Sequence, residues 1–207
     1  MRTIRILREM AKPRYPGPTP SFTEYHLIRA LNLIGARGKV GRGMLSSQLG
    51  LGEGTARTII EHMKHSELIS VTKEGCELTR KGGRMFREIR SRINDIKEIG
   101  STGYELGKYN VGVLVKDSAD NVNLGIEQRD AAVKAGATGA VTMVLKNAVL
   151  QVPPSNKKVK AEWLEPAKKL ADLFRPNESD VIILCGAETK ESAENGILAA
   201  ALTLLNN

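Results

Sequence analysis

Between positions 21 and 98, apolar residues recur at helical spacing in four stretches and alternate in one. Tyr25, Leu27, Ile28, Leu31 and Leu33 or Ile34 gather on one side of a helix that Ser21 or Thr23 caps and Gly35 stops. Met44, Leu45 and Leu49 mark a short helix, and Gly50, Leu51 and Gly52 a tight turn after it. Ala56, Ile59, Ile60 and Met63 then fall at i, i+3, i+4 and i+7, the core stripe of a longer helix. Ile69 and Val71, then Cys76 and Leu78, alternate about Lys73, Glu74 and Gly75, which predicts a β-hairpin with a charged tip. Thr79 caps a last helix carrying Met85, Phe86, Ile89, Ile93 and Ile96 at near-heptad spacing, suited to dimerisation, to connecting domains, or to ordinary core packing. The order helix, helix, glycine turn, helix, hairpin, helix predicts a winged helix-turn-helix.

Strands and helices alternate in the second half. Positions 110–116 form a β-branched run, and 121–135 a helix with Val122, Ile126, Ala131 and Val133. Two strands, 140–145 and 148–152, turn at Lys146 and Asn147; a helix over 160–174 ends before Pro176. A fully apolar strand over 180–185 and a helix over 188–205 follow. The order β-α-β-β-α-β-α predicts a small α/β sandwich on a mixed sheet, so the whole chain is of the α+β or α/β class. Segments 111–125 and 181–196 share a strand, an acidic turn and a helix, as a weak internal duplication would. Four parts emerge: a basic, Pro-rich arm over 1–20, extended where Pro13, Pro16, Pro18 and Pro20 fix it; a winged helix over 21–98; a Gly-rich linker over 99–108; and the α/β domain over 109–207.

The composition is that of an ordinary globular protein: 207 residues, 41% hydrophobic and 26% charged, which excludes collagen-like, mucin-like and wholly disordered chains. The longest nearly unbroken apolar run, 197–205, is far shorter than the roughly 20 residues a bilayer demands. The basic start has no continuous apolar segment of a signal peptide, so the expected location is cytoplasmic, with no membrane partner. Cys76 and Cys185 lie far apart without CxxC spacing and are expected to be buried, not to form a disulfide. His62 and His65 lack further ligands at metal spacing, so neither a metal nor another cofactor is called for.

Charge separates the two halves. The net charge is +8, yet residues 1–98 hold 19 Lys and Arg against 10 Asp and Glu, an excess of nine, while residues 99–207 hold 12 against 13. A polyanion-binding module joined to a neutral one has this distribution, as does a solvated basic surface with no partner. In the longer helix, Thr55, Arg57, Thr58, Glu61, His62 and Lys64 point away from the apolar stripe, offering hydroxyls and an Arg to base edges and cations to phosphates. Gly54 either admits a phosphate to the helix N-terminus or serves only in capping. Lys73 at the hairpin tip can reach a neighbouring phosphate or minor groove. Arg42, Ser46, Ser47 and Arg80 complete the candidate DNA-contacting set.

The stretch from Phe22 to Gly82, notably GEGTARTII and the closing LTRKG, resembles the N-terminal winged helix of bacterial central glycolytic gene regulators. Over most of 109–205, VGVLVK, IEQRDAAVKAGATGA and ILCGAETKESAENG resemble an archaeal family of two-domain proteins whose second domain has no assigned function. The resemblance implies a transcriptional regulator and supplies no ligand or catalytic residue.

In α/β sheets ligands sit at the carboxyl ends of strands, which here selects Lys116, Asp117 and Ser118 beside Gly186, Ala187, Glu188 and Thr189, with Gln128 and Arg129 on the intervening helix. Asp117 and Glu188 disfavour an anion, so a cationic or hydroxyl-rich ligand fits better, unless these acids merely complement helix dipoles. GxSxG, HExxH, Walker A and GxGxxG motifs are missing and all three histidines fall in the first half, so no enzyme is expected. The sequence reading is a homodimeric, winged-helix transcriptional regulator that binds double-stranded DNA and carries a domain for a small-molecule effector or for assembly. Two alternatives stand beside it: a winged helix used for protein contacts, and a small enzyme with Cys185 as nucleophile.

Overall fold

The computed structural model describes residues 1–13, 20–100, 103, 105–147, 149–153 and 164–205. The chain divides into two units, Met1–Ile89 and Arg90–Asn207. The first opens with α1 (Arg2–Met10), which buries Thr3, Ile4, Leu7 and Met10, so the start of the expected arm is a helix of this unit. Of the four prolines expected to be extended, Pro16 and Pro18 lie outside the described residues.

Helix α2 (Glu24–Arg37) begins at Thr23, whose side chain and His26 cap each other's backbone. It does not stop at Gly35: the Phe86 ring rests where a Cβ would sit, 2.8 Å away, and the helix continues to Gly38 at φ 81°. Gly35 is therefore a packing site, and Gly38 the C-terminal stop. Helix α3 (Arg42–Leu49) ends at Gly50, whose φ of 69° makes the turn into α4 (Glu53–His65). Arg29 of α2 is buried and donates from Nη2 to the Gln48 carbonyl (2.8 Å) and from Nη1 to the Leu49 carbonyl (3.3 Å), satisfying the open end of α3.

Strands β1 (Ile69–Thr72) and β2 (Gly75–Leu78) pair as the hairpin, and Val40 adds a bridge to Cys76 through two backbone bonds of 2.8 and 3.0 Å. Helix α5 (Arg80–Arg92) starts where Thr79 Oγ1 accepts from the Gly82 amide. It ends four residues short of Ile96, and Ile93 bridges Val115. Met85 and Ile89 are buried and Phe86 lies on Gly35, so the stripe considered for dimerisation is spent on intramolecular packing. The arrangement is a winged helix-turn-helix.

The second unit is a five-stranded sheet of β3 (Lys97–Glu98), β4 (Tyr109–Val115), β5 (Gly139–Lys146), β6 (Val149–Gln151) and β7 (Val181–Ala187). Its order is β3-β4-β7-β5-β6, and every neighbouring pair is antiparallel. The expected mixed sheet is therefore corrected, although the order of elements from β4 onward is the expected β-α-β-β-α-β-α. Strands β4 and β5 run the same way with β7 inserted between them.

Helix α7 (Leu164–Phe174) covers one face, where Leu170 and Phe174 join Leu114, Met143, Ile182 and Leu184. Helices α6 (Ile126–Lys134) and α8 (Lys190–Thr203) cover the other; Gly196 of α8 admits the Cys185 thiol, which a Cβ there would meet at 3.0 Å. With both faces covered, β7 is buried along its whole length, so it reads as apolar throughout although it is antiparallel. Helix α6 starts later than expected because residues Ala119–Asn121 form a 3₁₀ turn and Gly125 takes φ 74°. Ala148 and positions 160–163, expected to belong to β6 and α7, lie outside the described residues. Among the described residues no helix is long and apolar enough to cross a membrane.

Gly82 sets α5 against the wing: a Cβ there would lie 2.0 Å from the Leu68 carbonyl oxygen, whereas one at Gly83 meets nothing closer than Arg87 Nη1 at 3.5 Å. Gly82→Ala is expected to lower unfolding free energy by about 1–3 kcal/mol through overpacking, and Gly83→Ala to raise it by about 1 kcal/mol through helix propensity. Urea unfolding midpoints check the pair; equal midpoints would refute the close approach.

Candidate nucleic-acid interface

The apolar stripe of α4 determines which side chains it shows. Ala56, Ile59 and Met63 are buried, and Glu53, Gly54, Arg57, Thr58, Glu61, Lys64 and His65 are exposed. Together with the start of α3 and the wing, α4 bounds a groove of about 520 Å³. Arg42, Arg57, Lys64 and Lys73 supply its cations, Glu53, Glu61 and Glu74 its acids, and Ile60 and Val71 apolar surface. Most of its charge is paired: Arg42 with Glu53 at 3.2 Å, Arg57 Nε with Glu61 at 3.0 Å, and Glu74 with Lys39. Exposed pairs of this kind are worth at most about 1 kcal/mol, so a phosphate or base edge can replace the carboxylate. Lys64 and Lys73 have no such partner among the described residues.

Of the residues chosen from sequence, the structure thus gathers Arg42, Arg57, Glu61, Lys64 and Lys73 around one groove. Gly54 has open space above it, and its carbonyl accepts from Thr58 Oγ1 at 3.1 Å. The acid Glu53 occupies the first turn of α4, which weakens the case for a phosphate at that helix end. Thr55 and His62 leave the open face. Thr55 is half-buried, bonded to Ser21 Oγ at 2.8 Å; half-buried His62 bonds through Nδ1 to the Met10 carbonyl at 3.0 Å and sets its ring edge-on to Phe22. Both lie on the flank of α4 that Met10, Ser21 and Phe22 cover, contacts that a helical wheel does not contain.

Ser46 donates to the Leu51 carbonyl (2.6 Å) and so belongs to the turn, Ser47 is exposed on α3, and Arg80 is exposed at the start of α5, outside the groove. Sequence reasoning missed Glu53, Ile60, Val71 and Glu74 as groove residues. Ile60 fits the core period equally well and carries no separate signal.

The ligand site expected in the second unit is not formed. Because β4 and β7 are antiparallel, Val115 pairs with Val181 and Tyr109 with Ala187. Lys116, Asp117 and Ser118 therefore lie at one end of the sheet and Gly186, Ala187, Glu188 and Thr189 at the other, about 20 Å away at the rise of a strand. At the first end, Asp117 N bonds to Asp180 Oδ1 (3.0 Å), and buried Ser118 donates to the Lys116 carbonyl (2.8 Å). At the second, Leu106 and Gly107 lie so close to Gly186 and Ala187 that a Cβ on Gly186 would be 2.5 Å from Leu106; Thr189 caps α8. Glu188 is exposed. Gln128 is buried, donating to Thr203 Oγ1 at 2.7 Å, and Arg129 is exposed beside Asp130. Among the described residues no cluster of three or more His, Cys, Asp and Glu could hold a metal ion.

Residues 24–93 match the family described as the CggR N-terminal DNA binding domain, and residues 106–204 match a domain of unknown function, DUF4443. A solved structure of a hypothetical protein from Pyrococcus horikoshii OT3 is 27% identical, with a TM-score of 0.71 over 89% of this chain and 93% of that one. A search of curated proteins finds no match.

Cys185 is fully buried against α8, and burial pushes its thiol up to about 12. A thiol held protonated and out of solvent is a poor nucleophile. Both cysteines are buried, so the native protein at pH 8 should react with a disulfide reagent at least about 100-fold more slowly than the unfolded chain. Rapid labelling of native Cys185 would restore the nucleophile reading.

Proposed function

We propose that this chain, a CggR-type N-terminal domain followed by a domain of unknown function, is a transcription regulator that reads duplex DNA with α4 and its wing. The observation that carries the reading is the groove itself: Arg57 and Lys64 on the open face of α4, with Arg42 on one side and Lys73 on the wing. Arg57 suits bidentate recognition of a guanine edge and Thr58 a single hydrogen bond to a base. Arg42, Ser47, Lys64 and Lys73 contact phosphates and fix the register. Glu61 surrenders Arg57 on binding, so a sequence without a matching acceptor regains nothing for the broken 3.0 Å pair.

Two copies place two α4 helices in successive major grooves, as half-sites about one helical turn apart require. The second unit carries assembly or an effector; a ligand acts there only if it favours one arrangement of the two copies over another. No reaction is assigned to the chain, and it works where its DNA is, in the cytoplasm.

Fluorescence titrations of the purified protein against duplex DNA test the reading. Affinity should fall by about 0.9 log units per phosphate contacted for each tenfold rise in salt. Arg57→Ala should cost about 1–3 kcal/mol and relax preference at one base pair, and Lys73→Ala should weaken all sequences alike. A salt-independent affinity, or equal and negligible losses in both variants, would transfer the groove to a protein partner.

A further inference from the structure

The groove beside α4 contains apolar surface to which the reading above gives no task. Ile60 lies three residues after Arg57 and four before Lys64, so the helical period sets it on the same side of α4 as both cations. Its neighbours Ala56, Ile59 and Met63 are buried, whereas Ile60 is half-buried and lines the groove. On the wing, Val71 lines the same groove and is 45% exposed. Its cross-strand partner Cys76 lines the groove too, so the apolar surface spans both strands of the hairpin.

The cations Arg42, Arg57, Lys64 and Lys73 share the groove with this surface and suit it to the edge of a duplex. A polar group pressed onto an aliphatic side chain loses its water and regains no hydrogen bond. The surface therefore needs an apolar group on the DNA. The one alkyl group that the four bases present in the major groove is the C5-methyl of thymine; 5-methylcytosine carries the same group at the same place. Burying one such group against aliphatic side chains is worth about a fourfold change in affinity. The spacing agrees: Ile60 lies about 4.5 Å further along the axis of α4 than Arg57, against a base-pair rise of about 3.4 Å.

We propose that Ile60 and Val71 form a methyl-reading site, which takes the C5-methyl of a pyrimidine one or two base pairs from the guanine that Arg57 reads. This rests on the duplex-DNA reading above and adds to it a second base, recognised without a hydrogen bond.

The test uses the full chain and a duplex that it enriches from a random pool of about 20 base pairs, a length that spans successive major grooves. Each thymine of the enriched site is replaced in turn by uracil, which lacks only the methyl. Within two base pairs of the guanine whose preference Arg57→Ala relaxes, uracil should weaken wild-type binding about fourfold. Ile60→Ala and Val71→Ala should bind the thymine and uracil duplexes alike. Both should bind the uracil duplex as the wild type does, which also shows that they are folded. Cytosine and 5-methylcytosine at the same position separate the two sources of the methyl. A gain from 5-methylcytosine assigns the site to the methyl on either base; no gain, with thymine still preferred to uracil, restricts it to thymine. An enriched site with no thymine there, uracil tolerated throughout, or a thymine preference that survives in both variants would overturn the proposal. If Arg57→Ala still relaxes one base pair in that case, the DNA reading stands without it. A pool that enriches no duplex removes both.

Discussion

Three buried side chains, Ala56, Ile59 and Met63, set the rotation of α4, and the rest of the first unit is arranged to hold them. Once that stripe is inside, the helical period leaves Arg57, Thr58, Glu61 and Lys64 outside. The neighbouring elements supply the walls: Gly50 turns α3 into α4, the wing closes the groove beyond Ile60, and Gly82 lets α5 lie against the Leu68 backbone. Recognition is then a matter of which charges remain available, and the groove keeps two of its three acids paired to its own bases. Such a surface is cationic without being indiscriminately sticky.

The second unit depends on a different constraint. Strand β7 lies between β4 and β5 and is covered by helices on both sides, so every residue from Val181 to Ala187 is buried. A charged side chain there would be cut off from solvent on both faces of the sheet. The same burial makes Cys185 a packing residue: its sulfur occupies the space left by Gly196.

The helices, the hairpin and their order were legible because each has a local cause: the stripe of α4, the Thr23 and Thr79 caps, the alternation about Gly75. Strand direction was not, because an apolar run shows burial on both faces and not the direction of the neighbour; Val181–Ala187 reads the same in either sheet. That one ambiguity dissolved the expected ligand site, since it decides whether Ser118 and Thr189 share an end of the sheet. In the groove, Arg57, Lys64 and Lys73 followed from periodicity and from the hairpin tip. His62 and Thr55 did not, because what covers them comes from Met10, Ser21 and Phe22, far off in sequence. Gly35 misled for a related reason: a glycine that ends a helix and one that receives an aromatic ring look alike until the ring is placed.

Arg29 gives the turn before α4 an unusual permanence. Its guanidinium, carried on α2, grips the Gln48 and Leu49 carbonyls at the end of α3 in a planar two-donor fork. The angle at which α4 leaves α3 is thereby tied to α2, so the open face of α4 is held by the body of its unit and not by the glycine turn alone.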